Sequence, residues 1–179
     1  MNKSKKVVVL GGGSFGTVLA NLAASNGYQV ALWVRDSEHA LRINSEGANA
    51  TYHPELRLSE NIQASDSLKN VMKNASMVFI ATPSIVFEQI IERIRNLLEE
   101  DSYVISCTKG ILGQPFRSLT DTIISNVGIN IGVLSGPNLA KEIADNKVAG
   151  SVIASLDSDL VDSVKTVLSS ATFKIYSSN

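Results

Sequence analysis

The sequence predicts an α/β fold of the doubly wound class, a mostly parallel sheet with helices on both faces, spanning residues 1–179 as one domain. Strand-like and helix-like runs alternate along the whole chain with short connections, and right-handed crossovers then distribute the helices over both sides of the sheet. The first strand leads through three consecutive glycines into the first helix, the kind of junction around which such sheets gather a ligand. At 179 residues there is enough chain for one well-filled core and little room for two.

Each element has a local reason. Lys6 to Leu10 is a short Val-rich run, as expected of a strand buried on both faces. From Ser14 to Asn26 the pattern is helical, with small Gly16, Ala20, Ala23 and Ala24 able to lie close to a sheet and Gly27 where a C-terminal cap belongs. "QVALWV" is a second strand, followed by a polar helix from Ser37 to Glu46 and a loop containing Tyr52, His53 and Pro54. A weak strand lies around Ile62, a short helix starts near Asp66, and "MVFIAT" is a strongly apolar strand. Thr82 and Pro83 then supply a cap and a first-turn proline for a helix. Its Phe87, Ile90, Ile91, Ile94 and Leu97 recur at helical spacing and read as core packing. "YVISCT" and "IGVLSG" are strands separated by a helix from about Pro115 to Ser125. "GSVIAS", a helix from Asp157 to Leu168 and "FKIYSS" complete the order.

Composition excludes several function classes. Sixteen basic against seventeen acidic side chains give no electrostatic case for nucleic acid or for a membrane surface. The basic start and apolar run of "MNKSKKVVVLGGG" resemble a leader, but only four apolar residues precede the glycines, so the segment reads as a strand. No run approaches the roughly 20 apolar residues of a membrane helix, so no stable membrane insertion is expected. A single cysteine, Cys107, forms no internal disulfide and no metal-site spacing, and reads as a buried core thiol. This fits a reducing compartment, and a cytoplasmic location is expected. No metal or Ser/His/Asp constellation is apparent.

"GGGSFGT" carries the chemistry. Gly11, Gly13 and Gly16 form G-x-G-x-x-G after a strand and at a helix start, the context that makes the pattern a dinucleotide fingerprint of a Rossmann-type sheet. Gly11 makes the tight turn, Gly13 lets a pyrophosphate approach the backbone, and Gly16 lets the helix pack closely. Backbone N–H groups near Ser14 and Phe15, at the positive end of the helix, would hold the phosphates. At the end of the second strand, "LWVRD" has Val34 in the usual acidic place and Arg35 next. A guanidinium there can pair with a 2′-phosphate, which favours NADPH. Asp36 keeps NADH open, since a shift of one residue puts a carboxylate near the ribose. A solvated Arg35–Asp36 pair opening the next helix is the plainer alternative.

Three more turns leave the same sheet edge: "ATPS", "CTKG" and "SGPNLAKE". Lys109 in "CTKG" is either an exposed lysine or a cation that holds a small anionic substrate or polarises a carbonyl. The Ser135–Lys141 turn can offer the Asn138 side chain and free helix N–H groups to an oxyanion, or is simply a helix start with Glu142 facing the dipole. His39 reads as a surface residue. His53 reads as a loop residue or as one facing the active-site edge.

"GGGSFGT", "CTKG" and "SGPNLAKE", in this order and at these separations, resemble the amino-terminal domain of the bacterial NAD(P)-dependent sn-glycerol-3-phosphate dehydrogenases, across essentially the whole chain. The resemblance implies reduction of dihydroxyacetone phosphate to sn-glycerol 3-phosphate for phospholipid synthesis. It implies cofactor contacts for Ser14, Phe15, Arg35, Lys109 and Ala140, and contacts with the phosphorylated substrate for Lys109, Gly136 and Asn138. Bacterial members more often have Ser or Thr followed by Phe where this chain has Asn138 and Leu139. The family's catalytic lysine and helical substrate domain follow a stretch resembling "FKIYSSN". No catalytic general acid is therefore expected within these residues, the chain alone is expected to be inactive, and any homodimer contact is expected through the helical domain. Two other readings stand beside this one: a standalone NAD(P)-binding or redox-sensing module, and the cofactor domain of a 3-hydroxyacid dehydrogenase.

Overall fold

The structure, a computed structural model, describes residues 6–110, 118–127 and 130–178. Its frame is an eight-stranded sheet. In chain order the strands are β1 (Lys6–Leu10), β2 (Val30–Trp33), β5 (Ile62–Ser65), β6 (Ala75–Ile80), β7 (Tyr103–Ser106), β8 (Ile131–Ser135), β9 (Ala149–Ala154) and β10 (Phe173–Ser178). In space they run β5-β2-β1-β6-β7-β8-β9-β10. Every neighbouring pair is parallel except β8 and β9. The chain moves outward from β1 through β2 to β5 and then returns to lay β6 on the other side of β1. That reversal opens a crevice beyond the carboxyl ends of β1 and β6, where ligands of doubly wound sheets bind.

Two apolar layers hold the sheet. Val7 and Val9 of β1 face one layer with α1 (Ser14–Ser25), α2 (Ser37–Glu46), α6 (Ala140–Ala144) and α7 (Ser158–Leu168). Val8 and Leu10 face the other, with α3 (Leu68–Met72), α4 (Phe87–Ile94) and α5 (Leu119–Val127). A strand whose alternate side chains enter two cores must be apolar throughout, which explains the Val-rich run. The expected helix at Phe87 packs as its spacing requires, with Phe87, Ile90, Ile91 and Ile94 buried.

Two local expectations need correction. Residues 48–57 form an antiparallel ribbon, β3 (Ala48–Asn49) with β4 (His53–Arg57), where a loop was expected. Gly47, at φ 61° in the left-handed region, turns the chain out of α2 and back into the ribbon. Two residues of β3 are too few to show alternation, and Pro54 fits because β4 has a single strand partner. Second, Thr82 does not cap a helix: its hydroxyl is buried without a partner among the described residues. Pro83 instead precedes a single 3₁₀ turn, Ser84–Val86, that leads into α4. Of the helix expected from about Pro115 to Ser125, the described part is α5 from Leu119, and the Pro115 to Arg117 part lies outside the described residues.

Candidate functional site

The glycine turn sits at the end of β1, and its neighbours explain each glycine. A Cβ on Gly11 would lie 2.7 Å from the Ala81 carbonyl oxygen, and φ there is 116°. One on Gly12 would collide with Val34 Cγ1, and one on Gly16 with the Gly11 carbonyl oxygen. One on Gly13 would meet nothing within 4 Å. Three sides of the turn are therefore closed by protein, and the fourth is an open approach to the first turn of α1. That helix has no side-chain cap and no acidic residue in its first turn. Its leading N–H groups, at Ser14, Phe15 and Gly16, have no intrahelical acceptor and face the opening with the positive end of the dipole. This shape and polarity fit a dinucleotide diphosphate.

A buried side chain that sequence reasoning missed braces the turn. Asn49, 1% exposed, donates through Nδ2 to the Gly12 carbonyl oxygen at 2.9 Å and to Thr17 Oγ1 at 2.8 Å. Its Oδ1 accepts from His39 Nε2 at 2.8 Å. Since Asn49 Oδ1 can only accept, His39 carries its hydrogen on Nε2. His39, expected at the surface, is half-buried by this bond. His53 is 6% exposed, and its Nε2 lies 3.0 Å from both the hydroxyl and the carbonyl oxygen of Ser14. His53 is thus a strand residue buried against the start of α1. The only hint in the sequence was "ANATYHP", polar residues with two aromatic rings beside a proline; pairing of the ribbon is what delivers them to the glycines.

At the end of β2, Val34 is buried against Gly12. Asp36 is committed to α2, where its Oδ1 accepts from the His39 backbone N–H at 2.7 Å as the N-cap. Arg35 is exposed and joins no ion pair among the described residues, and Asp36 is exposed as well, so the two stand solvated at the opening of α2, as the plainer alternative has it.

The other turns converge on Phe15. Lys109 Nζ lies 5.9 Å from the centre of the Phe15 ring and donates to the Gly136 carbonyl oxygen at 3.3 Å. One exposed ammonium thus spans the first glycine turn and the "SGPNLAKE" turn. Its base is fixed by Thr108, whose hydroxyl donates to the Thr82 carbonyl oxygen at 2.8 Å. Ala140 opens α6 and packs, with Phe15, against the core layer under α1. Asn138 is buried, and its Nδ2 donates to the Gly150 carbonyl oxygen at 3.0 Å and to Ser151 Oγ, while its Oδ1 has no partner among the described residues. Gly136 fits only because it lacks a side chain, since a Cβ would lie 2.8 Å from the Gly150 carbonyl oxygen. Cys107 is buried as expected, and burial pushes its thiol far above the ordinary range.

With the turns, the bridging lysine and the crevice assembled, comparison with known proteins is decisive. Residues 6–161 match the family described as NAD-dependent glycerol-3-phosphate dehydrogenase N-terminus. The chain belongs to this family. Among curated relatives, a glycerol-3-phosphate dehydrogenase [NAD(P)+] of Alcanivorax borkumensis is 44% identical over 169 residues, covering 94% of this chain and 49% of that enzyme. One from Teredinibacter turnerae is 40% identical, over 98% of this chain and 52% of that enzyme. The crystal structure of the Coxiella burnetii glycerol-3-phosphate dehydrogenase superposes with a TM-score of 0.93 at 29% identity, covering 99% of this chain and 55% of that one. The chain therefore spans about half the length of the relatives it matches. The matched stretch is the amino-terminal part of that family. Among the described residues no helix is long and apolar enough to cross a membrane, and no group of His, Cys, Asp and Glu could hold a metal ion.

Proposed function

We propose that this chain is the cofactor-binding part of an oxidoreductase that uses NADPH to reduce dihydroxyacetone phosphate to sn-glycerol 3-phosphate, the backbone of phospholipids. The carrying observation is the position of Lys109 between the Phe15 ring and the Gly136 carbonyl oxygen. The N–H groups of Ser14 and Phe15 bind the diphosphate, and the missing side chain at Gly13 lets it come close. Arg35 takes the 2′-phosphate: it is exposed and unpaired, while Val34 offers no carboxylate and Asp36 is occupied by its cap. When bound, the reduced nicotinamide supplies a hydride. Lys109 exchanges its weak bond to Gly136 for the anionic substrate and polarises its carbonyl. Asn138 and Gly136 shape the substrate wall, Asn138 by pinning the turn to β9 through Gly150 and Ser151. Ala140 closes the cofactor side. The general acid for the new alkoxide, the rest of the phosphate pocket and any homodimer contact belong to a helical domain beyond these residues, and the assembled enzyme works in the cytoplasm.

The test is a titration with NADPH and with NADH, followed by nicotinamide fluorescence and by Trp33. Arg35→Ala removes about 1.5–3 kcal/mol of charge-assisted bonding, so NADPH affinity falls roughly 10- to 150-fold while NADH affinity is unchanged. Equal affinities in the unaltered chain overturn the assignment of Arg35. A nicotinamide signal that Lys109→Ala does not alter overturns the place given to Lys109.

A further inference from the structure

One side chain at the glycine turn has no part in the function above. His53 reaches Ser14 from β4, and a single ring nitrogen meets two oxygens of different kinds, the Ser14 carbonyl and the Ser14 hydroxyl, each at 3.0 Å. The carbonyl can only accept, so it bonds Nε2 only when that nitrogen carries hydrogen. A bare Nε2 instead takes the one hydrogen of the Ser14 hydroxyl, leaving that oxygen with only lone pairs to show an approaching phosphate. With hydrogen on Nε2 the hydroxyl hydrogen is free to point outward. The state of the ring therefore sets whether the first hydroxyl of α1 attracts or repels a diphosphate.

We propose that His53 is a positioning residue for the dinucleotide: its Nε2–H, donated to the Ser14 carbonyl oxygen, leaves the Ser14 hydroxyl hydrogen free to point at the diphosphate. This rests on the reading that the first glycine turn holds the diphosphate. The ring is poorly placed to respond to other charges. On its own strand, Glu55 and Arg57 are exposed, and Arg57 donates to the Glu46 carbonyl oxygen. β3 carries no charge, and α1 has no acidic residue in its first turn and no basic residue in its last. On α6, which packs against β4, Glu142 is half-exposed and Lys141 lies 3.3 Å from Asp145 of the following turn. Lys109 stands over Phe15, and His39 is held by Asn49. Among the described residues no ion pair includes His53.

The test is calorimetric titration of the full chain with NADH at one fixed pH. NADH is chosen because it lacks the 2′-phosphate and so reports the diphosphate site apart from Arg35. His53→Gln, whose amide N–H can stand in for Nε2–H, should keep the affinity of the unaltered chain within about 3-fold. His53→Leu should bind about 10-fold more weakly, with circular dichroism confirming its fold, and Ser14→Ala should add no further loss to it. His53→Leu binding NADH as tightly as the unaltered chain overturns the proposal, as does His53→Gln binding as weakly as His53→Leu. If Gly13→Ala binds NADH as well as the unaltered chain does, the diphosphate reading itself fails, and the proposal with it.

Discussion

Replacing Asn49 by alanine tests whether one buried amide braces the cofactor turn. The side chain makes three hydrogen bonds, to the Gly12 carbonyl oxygen, to Thr17 Oγ1 and from His39. Thr17 keeps its own bond to the Gly13 carbonyl oxygen at 2.8 Å, and the half-exposed His39 can turn to water, so each of these losses costs about 0.5–1.5 kcal/mol. Gly12 is different, because its carbonyl is left in a buried site and an unsatisfied group there costs about 1–3 kcal/mol. The sum is about 2–6 kcal/mol, or roughly 4–24 °C in Tm for a chain of this size. Urea unfolding followed by circular dichroism checks this, with an unchanged m-value showing that the denatured state is unaltered. Dinucleotide affinity should fall as well, since the bracing bonds hold the backbone that faces the phosphate. A loss below about 0.5 kcal/mol, in the range of an ordinary surface substitution, would refute the argument that Gly12 depends on Asn49.

Two other outcomes follow from the same geometry. Gly13→Ala should unfold within about 0.5 kcal/mol of the unaltered chain, since its Cβ enters open space at an ordinary φ of −79°, yet should bind dinucleotide at least 10-fold more weakly; Gly16→Ala, which drives a Cβ into the Gly11 carbonyl, should lose stability first, and paired melting and titration distinguish the two. The buried Cys107 thiol holds its proton more tightly when folded than when unfolded, so it contributes no pH dependence below its ordinary value near 9, and stability falls above that value by up to about 1.4 kcal/mol per pH unit. Cys107→Ala should remove this component of the alkaline slope, and an unchanged slope in urea melts at pH 8–10 would contradict it.

How far sequence reasoning reached depended on the range of the interaction. The alternation of elements and the glycine turn were legible because they rest on contacts within a few residues: a Val run buried on both faces, a helix starting without an acidic cap, Gly16 where Cβ would strike Gly11. The β3–β4 ribbon was not legible. Its partner strand has two residues, and its stabilising bonds run from Asn49 to Gly12 and Thr17, more than thirty positions away. Asp36 shows the intermediate case: the "LWVRD" stretch left it open as a ribose ligand or as part of a solvated pair opening the next helix, and the 2.7 Å bond from the His39 N–H shows that it caps α2.

By itself, then, the sequence determined the layered sheet, the glycine turn and the three further turns at its carboxyl edge, because local geometry and hydrophobic period dictate them. Tertiary structure alone decided that Lys109 spans Phe15 and Gly136, that Asn138 turns its amide into β9, and that His53 lies on Ser14. The physical reason is that these groups meet only when strand order folds distant segments onto one edge. Lys109 and Gly136 are 27 positions apart and His53 and Ser14 are 39 apart, separations at which no side-chain period survives and only packing brings the partners together.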